Sequence, residues 1–365
     1  MDVEATRHAV LILFFLTFFF VAAANFFRTP ERLILLANVL TLFGVLVAAF
    51  ALIQYSAWDG RFYWLRATQY SVFGPFVNHN HFAGYMAMLV PLPLAMILRV
   101  VRGQAQLLYG FAAALMGTAA TVSGSRSGTI GLAAGLVLMA VLNKRCITGA
   151  VRGSQARQRA AIVYDSAVID RAYSDAREPK RFSVARVGPL VLVVLGIIAG
   201  VLWIGAAPIV ERFGGGVDQL VRTGTPDPSR ADIWRTTIRM VRDHPLFGTG
   251  LGTYHTVYPS YADSDKLFGL DYAHNDYLQA VADGGAVGGI LVVWFIVATF
   301  WSIRHGIHAR DALLAGLTLA AAAGIFAVLI QSLSDTDVQI PSNALLFLVL
   351  SAVVSQVAVI QKENT

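Results

Sequence analysis

Charged residues and cysteine are both scarce in this sequence. Asp, Glu, Lys and Arg together make up 14% of the 365 residues, whereas about a quarter of the residues in a typical soluble domain are charged. Cys146 is the single cysteine, which excludes an intrachain disulfide, and beside Lys144 and Arg145 it is expected to be inert. The composition therefore excludes an ordinary soluble domain.

Long apolar runs fill the sequence instead. Hydrophobic residues make up 56% of the chain, and the mean hydropathy is +0.61. Such runs are long enough for helices that cross a hydrocarbon core of about 30 Å. A β-barrel would show short segments of alternating hydrophobicity rather than continuous runs. We therefore predict an all-α polytopic membrane protein.

Nine of these runs are predicted to be transmembrane helices, and the first is read as a retained helix because it lacks a cleavage site of small residues. An odd number of spans places the two termini on opposite sides. Short connections richest in Arg and Lys, such as 28–32 and 304–310, are assigned to the cytoplasm. The net charge of +6 comes from basic residues that lie between the spans, where positive charge normally sets the topology. Nucleic-acid binding is therefore not predicted. The predicted spans are 8–24, 33–55, 79–98, 106–122, 128–143, 187–207, 286–303, 312–333 and 343–361.

One long polar segment, residues 208–285, divides the chain. We predict an N-terminal transmembrane bundle (1–207), a helical extracytoplasmic catalytic loop (208–285) and C-terminal transmembrane helices (286–365). Polar groups at the ends of spans cost free energy unless they are solvated or take part in binding or catalysis. The alternatives are therefore a shared extracytoplasmic site, which we favour, and ordinary wet loop ends. The same topology brings three further polar clusters to this side: Asn78–His81, Ser123–Gly128 and Ser334–Asp337.

The first helix predicted in the loop starts at Arg230 and runs to Arg242. Ser229 and Asp232 resemble a capping box before it, and the proline after His244 disfavours helical geometry beyond it. Arg230 lies one turn before the apolar stripe and on the same face, so it is predicted to point inward or toward the membrane. The stripe consists of Ile233, Trp234, Thr237, Ile238 and Val241.

A second helix is predicted to begin at Asn275, a favourable N-cap residue. His274 then lies at a helix N-terminus near the membrane surface, where free backbone N–H groups suit an anion. His79 and His81 are read as lining a substrate groove or as ordinary interfacial residues. A metal site is a weak reading, since no carboxylate or cysteine accompanies them. The loop tyrosines 254, 258, 261 and 272 either stack on sugars or pack the loop.

Several motifs in this order resemble the O-antigen ligase and polymerase superfamily of bacterial membrane glycosyltransferases. The resemblance covers residues 72–289. Relatives usually carry more spans, and the shortfall at the N-terminus indicates either a shortened start or a small member. The motifs are Phe73–Asn80, Ser125–Gly128, Arg230-x-x-Ile233-Trp234, Asp243–Gly250 and Ala273–Leu278.

The resemblance implies an enzyme of the bacterial inner membrane with its active site facing the periplasm. A glycan would move from undecaprenyl pyrophosphate to an acceptor hydroxyl of lipid A-core or a polysaccharide, with no metal and no cofactor. By position, Arg126 and Arg230 would bind the pyrophosphate, and His274 would be catalytic. The groove would include His79, His81, Asn275, Asp276 and Tyr277.

Physical chemistry agrees with these roles. The guanidinium group offers a bidentate fork to phosphate that stays charged, and histidine is a base that is neutral near pH 7. A polysaccharide polymerase and a protein O-oligosaccharyltransferase remain as alternatives within the superfamily. An anion or bicarbonate transporter is less favoured, because the charges gather at span ends rather than at mid-span. A structural assembly subunit is the third reading.

Overall fold

The computed structural model describes residues 2–67, 72–143, 230–262 and 270–363. Within these ranges, eight helices are long and apolar enough to cross a membrane. They correspond to eight of the nine predicted spans, and the remaining one, 187–207, lies outside the described residues. The prediction of an all-α polytopic membrane protein is confirmed. The division into three regions stays a prediction, because the boundary at residue 207 is also outside the described residues.

The helices are numbered in chain order. A short antiparallel hairpin, β1 (Arg61–Phe62) and β2 (Arg66–Ala67), follows the second helix, and a π-helical turn, Met96–Val100, follows the fourth. The helices are α1 (Val3–Phe26), α2 (Pro30–Ser56), α3 (His79–Leu89), α4 (Pro91–Ala95), α5 (Ala105–Val122), α6 (Arg126–Asn143), α7 (Arg230–Asp243), α8 (Tyr254–Val257), α9 (Asp276–Gly306), α10 (Ala312–Gln331) and α11 (Pro341–Glu363).

Helices α3 and α10 form the centre of the bundle, because small residues let their backbones approach their neighbours. A Cβ atom added at Gly131 of α6 would lie 2.5 Å from the Ala327 carbonyl oxygen of α10, and one at Gly324 would lie 2.7 Å from the Met88 carbonyl oxygen of α3. Small residues at such crossings are the usual way for helices to pack in lipid. By contrast, α1 and α9 expose most of their apolar side chains.

The polar loop has a small hydrophobic core of its own. Ile233 and Met240 of α7 pack with Tyr254 and Tyr258, and with Ala282 of α9. This burial holds α7 and α8 against the first turns of α9. The predicted end of α7 is confirmed to within one residue, although Ile238, placed on its apolar stripe, is 42% exposed.

Helix α9 is broken at Gly285, and the turn 245–250 fills the break. Gly285 has φ of 61°, which interrupts the helical hydrogen bonds. The freed carbonyl groups of Ala282 and Asp283 accept hydrogen bonds from the N–H groups of residues 249 and 250, at 2.9 and 3.0 Å. The freed N–H groups of residues 286 and 287 donate to the carbonyl groups of residues 245 and 246, at 2.8 and 3.3 Å. The backbone N–H and carbonyl groups of the turn and of the broken helix therefore satisfy each other's hydrogen bonds at this point.

The helix ends lie at two faces of the bundle. At one face, Arg99 Nε donates to Asn143 Oδ1 at 2.9 Å, so the ends of the π-helical turn and α6 meet there. At the other face, Gln331 Nε2 donates to the Asn80 carbonyl oxygen at 2.9 Å, joining the end of α10 to the start of α3. The polar loop packs at this second face, which we call the site face. Its extracytoplasmic position stays a prediction.

Candidate active site

Five helices begin at one place on the site face: α3, α6, α7, α9 and α11. A side-chain contact joins each of these helix starts to the segment 331–338. Asn343 in the first turn of α11 also donates to the His81 carbonyl oxygen of α3 at 3.0 Å. Some of the first N–H groups already have partners; in α9 those of Asp276 and Leu278 donate to the Ser332 carbonyl oxygen and to Asn275 Oδ1. The helix N-termini still carry partial positive charge. The convergence therefore creates a region suited to an anion.

Asp335 lies at the centre of this region and is fully buried. Its Oδ1 atom is 3.5 Å from Nδ1 of His274, and its Oδ2 atom is 3.8 Å from Nη2 of Arg230. Ser127 Oγ of α6 donates to the same Oδ2 atom at 3.4 Å. One carboxyl group thus joins residues from three of the five helix starts.

The pKa values of Asp335 and Asp337, two positions apart, are shifted in opposite directions. Burial alone would raise the pKa of Asp335, but its contacts with His274 and the N–H group of Thr336 hold that pKa below its ordinary value, with smaller help from nearby cations. Burial, together with the carboxyl groups of Asp335 and Asp276, raises the pKa of Asp337 well above its ordinary value. The first carboxyl group is therefore ionised and the second favours its neutral form.

His274 is held in an uncommon backbone conformation. Its φ of 50° lies in the left-handed region, which costs energy for any residue with a Cβ atom. The preceding residue, Ala273, is fixed on both sides: its N–H group donates to Gln279 Oε1 at 2.7 Å, and its carbonyl oxygen accepts from Trp234 Nε1 at 3.0 Å. These bonds keep the imidazole beside Asp335 and tie α7 to the start of α9.

The two arginines predicted to bind pyrophosphate both begin helices. Arg230 is the first described residue of α7, and its side chain is 47% exposed, so part of its guanidinium group faces solvent. Arg126 is the exposed first residue of α6 and lies between the buried residues Ser125 and Ser127. Since Ser127 and Arg230 contact the same oxygen of Asp335, the two helix starts are neighbours.

Three residues predicted for the groove make contacts at the end of α10, and their role in a groove stays a prediction. Asn275 caps α9 as predicted, accepting from the Leu278 N–H group at 2.9 Å, and also donates to the Leu333 carbonyl oxygen. Tyr277 Oη donates to the Leu329 carbonyl oxygen at 2.7 Å. Asp276 is buried, and its Oδ2 atom accepts from Ser332 Oγ and from the N–H groups of residues 337 and 338, at 2.6, 3.0 and 3.1 Å. They hold the segment that carries Asp335.

The other two groove residues, His79 and His81, belong to the first turn of α3. His81 Nδ1 lies 3.6 Å from Oδ1 of Asp337, and Asn343 Nδ2 donates to that oxygen at 3.4 Å. Gly84 makes room for this carboxyl group, because a Cβ atom there would lie 2.6 Å from the same oxygen. A second histidine and aspartate pair thus lies beside the first.

The loop tyrosines 254 and 258 pack the loop. Both are buried, their rings are stacked with centroids 5.3 Å apart, and Tyr254 Oη shares a hydrogen bond with Thr237 Oγ1 at 2.7 Å. Of the two sequence-based interpretations, loop packing therefore holds for this pair.

Asp335 is the residue whose importance the sequence did not predict. The sequence indicates only that Asp335 and Asp337 end a span on this side, where they would help to position an acceptor. The signal available was its place in a short acidic connection, Ser334–Asp337, between two apolar runs, where a buried charge requires partners.

Comparison with protein families gives one match. A family model described as O-antigen ligase matches residues 111–293, half of the chain. The matched range includes Arg126, Arg230 and His274 but ends before Asp335. The comparison with curated proteins found no match.

Proposed function

The chain belongs to the O-antigen ligase family, and we propose that it transfers a glycan from undecaprenyl pyrophosphate to an acceptor hydroxyl at the periplasmic face of the bacterial inner membrane. Membership implies a ligase-type or polymerase-type enzyme of glycan transfer. The observation that carries the finer proposal is the contact of Asp335 with both His274 and Arg230 at the meeting point of five helix starts.

The helix starts and arginines supply what the donor requires. A pyrophosphate leaving group gains negative charge as its bond to the sugar breaks, and fixed positive groups stabilise that charge. The Arg230 side chain is 47% exposed, so its guanidinium group can offer N–H donors to phosphate oxygens as well as to Asp335. Arg126, on the neighbouring helix start, is the second proposed phosphate ligand. The partial charges of the helix N-termini add to both.

His274 and Asp335 supply a base for the acceptor. The ionised Asp335 lies against Nδ1 of His274, which favours the tautomer with the proton on Nδ1 and a free electron pair on Nε2. Nε2 then accepts the proton of the acceptor hydroxyl, and Asp335 stabilises the imidazolium that forms. Base catalysis of this kind contributes roughly 10² to 10⁴ in rate.

The bonds of the proposed reaction balance without a further reactant. The acceptor oxygen forms a bond to the anomeric carbon of the donor glycan while the bond from that carbon to the pyrophosphate oxygen breaks. The leaving group is undecaprenyl pyrophosphate. We propose that no metal and no cofactor takes part, since arginines and helix starts provide the positive charge.

The position of the charges favours transfer chemistry over transport. In the described spans, ionisable side chains lie near helix ends, as Arg126 and Asp276 do, and the central turns of α5 and α10 carry none. A transporter would place such groups at mid-span. The acceptor hydroxyl could belong to lipid A-core, a growing polysaccharide or a protein, and a panel of these acceptors offered to the purified enzyme distinguishes them.

The proposal is tested with purified protein in a transfer assay that contains a chelator. His274→Asn is the sharper variant, because asparagine tolerates the left-handed backbone but supplies no base. We expect transfer to fall by about 10² or more while the lipid-linked donor still binds. Donor binding lost in step with transfer would make His274 a phosphate ligand, and near-normal transfer would exclude it from the chemistry.

Arginine variants test the phosphate contacts. Arg230→Lys keeps the charge but loses the fork, so we expect weaker donor binding and lower transfer. Arg235→Lys is the matched control on the same helix, since the side chain of Arg235 is 76% exposed and pairs only with Asp232 at 3.1 Å among the described contacts. Equal tolerance of the two changes would argue against a phosphate role for Arg230.

A further inference from the structure

Two large apolar side chains project from the turn that fills the break in α9. Leu246 is 63% exposed and Phe247 is 75% exposed. They follow His244 and Pro245, which are also exposed, in a loop that is otherwise polar. We call Leu246 and Phe247 the apolar tip.

The apolar tip is rigidly joined to α9. The carbonyl oxygens of Pro245 and Leu246 accept from the N–H groups of residues 286 and 287. On the other side of the break, Gly248 lies so close that an added Cβ atom would be 2.5 Å from the Ala282 carbonyl oxygen. Exposure of the tip is therefore a built feature of the fold and not the result of a loose loop.

The tip continues a surface that already faces lipid. Directly beyond the break, α9 exposes a row of large apolar side chains along its length, with exposed fractions from 37% to 67%. Such a row on a membrane-spanning helix contacts acyl chains. The tip adjoins this row, because the carbonyl oxygen of Leu246 accepts from the N–H group of Val287, the first residue of the row. The row consists of Val287, Ile290, Leu291, Val293, Trp294, Val297, Phe300 and Trp301.

We propose that the apolar tip inserts among the acyl chains of the bilayer at the site face. Water is a poor environment for two adjacent large apolar side chains. Insertion removes them from water, and the backbone bonds to α9 reduce the number of polar groups that would enter the lipid. The first turns of α9, residues 276–284, carry the contacts of the site on one side and the turn on the other. Lipid contact at the tip therefore acts on the same helical turns that carry the site.

The test uses an environment-sensitive fluorophore attached to a single cysteine in the full-length protein. The variant is Cys146→Ser with Phe247→Cys, labelled with an NBD maleimide and reconstituted in liposomes of neutral lipid. We expect its emission to shift to shorter wavelength, to be quenched by lipids brominated on their acyl chains, and to resist quenching by aqueous iodide.

The matched control places the same label at residue 235 through Arg235→Cys, because that side chain is as exposed as Phe247 but polar. Its emission should respond to iodide and not to brominated lipid. If both labels respond to iodide alike, the tip lies in water and the proposal is wrong. A tip label that responds to neither quencher would be covered by protein, for example by a second copy of the chain, and would equally overturn it.

Discussion

At the scale of single residues, the site depends on two neighbouring aspartates with opposite electrostatics. Asp335 lies beside His274 and Arg230, and these contacts, together with the N–H group of Thr336, hold its pKa below the ordinary value despite burial. Asp337 lies among carboxyl groups, with Asn343 as its hydrogen-bond donor, and burial raises its pKa. An amide can replace a neutral carboxyl group but cannot replace a buried carboxylate that holds cations. The two positions should therefore respond differently to the same substitution.

We predict that Asp335→Asn nearly abolishes transfer, because His274 loses the charge that sets its tautomer, whereas Asp337→Asn retains most of the activity. A purified transfer assay, run beside a thermal unfolding measurement, checks both variants. Similar losses at the two positions would mean that Asp337 is also ionised or that it acts directly on substrate.

The two aspartates should also give opposite slopes of stability against pH. Since the folded-state pKa of Asp335 is lowered, this residue adds to the free energy of unfolding at pH values above the ordinary Asp pKa of about 3.9. That stabilisation is lost as the pH falls through the folded-state pKa. Since the folded-state pKa of Asp337 is raised, its contribution falls as pH rises from that ordinary value through the folded pKa. Thermal unfolding of Asp337→Asn against the unsubstituted protein should thus favour the variant more as pH rises. A constant difference across pH would contradict the raised pKa.

At the scale of elements, the break in α9 is as important as its helical turns. Gly285 has φ of +61°, and a Cβ atom there would overlap the Leu246 carbonyl group, so only glycine fits. Its neighbour Gly284 belongs to the same helix, and among the described residues no atom beyond its chain neighbours and that helix backbone lies within 4 Å of a Cβ atom added there. Two adjacent glycines therefore have different structural requirements.

We predict that Gly285→Ala lowers both thermal stability and transfer, by about 1 to 3 kcal/mol in unfolding free energy for the strained backbone alone, since the turn must move away from α9. Gly284→Ala is the control, and helix propensity should make it neutral or stabilising by up to about 1 kcal/mol. Unfolding measurements on the two purified variants decide the matter. If Gly285→Ala is tolerated, close packing of the turn 245–250 in the break of α9 is not required for stability or transfer.

The helices themselves could be predicted well from sequence. The length of an apolar run reflects the thickness of the bilayer, so the eight described spans could be predicted from sequence. The start of α9 could be predicted because its cap, Asn275, acts within a few residues. The contact of Asp335 with His274 and the insertion of residues 245–250 into α9 could not be found in this way. Both join segments far apart in the chain, and no periodicity or capping rule records which distant groups meet. The second histidine and aspartate pair, His81 and Asp337, was missed for the same reason.

At the scale of the whole molecule, the sidedness of the bundle is the prediction on which the site depends. We expect a cysteine at Ser260, in the loop of the site face, to react with a membrane-impermeant maleimide in cells whose outer membrane is permeable. A cysteine at the exposed His308, between α9 and α10 at the opposite face, should react only after the inner membrane is opened. Both are placed in a Cys146→Ser background. The reverse pattern would invert the topology and exclude a periplasmic site.

The contacts that build the site also determine when it can exist. Asn343 bonds to His81 across 262 positions of sequence, and Gln331 bonds to Asn80 across 251. Joining such distant segments has an entropic cost that is met only when the intervening helices are in place. During synthesis, the helix starts that carry His81, Arg126 and His274 enter the membrane before the segment that carries Asp335. The nascent enzyme should therefore be inactive until α11 is inserted, so that transfer activity reports on the assembly of α3, α10 and α11.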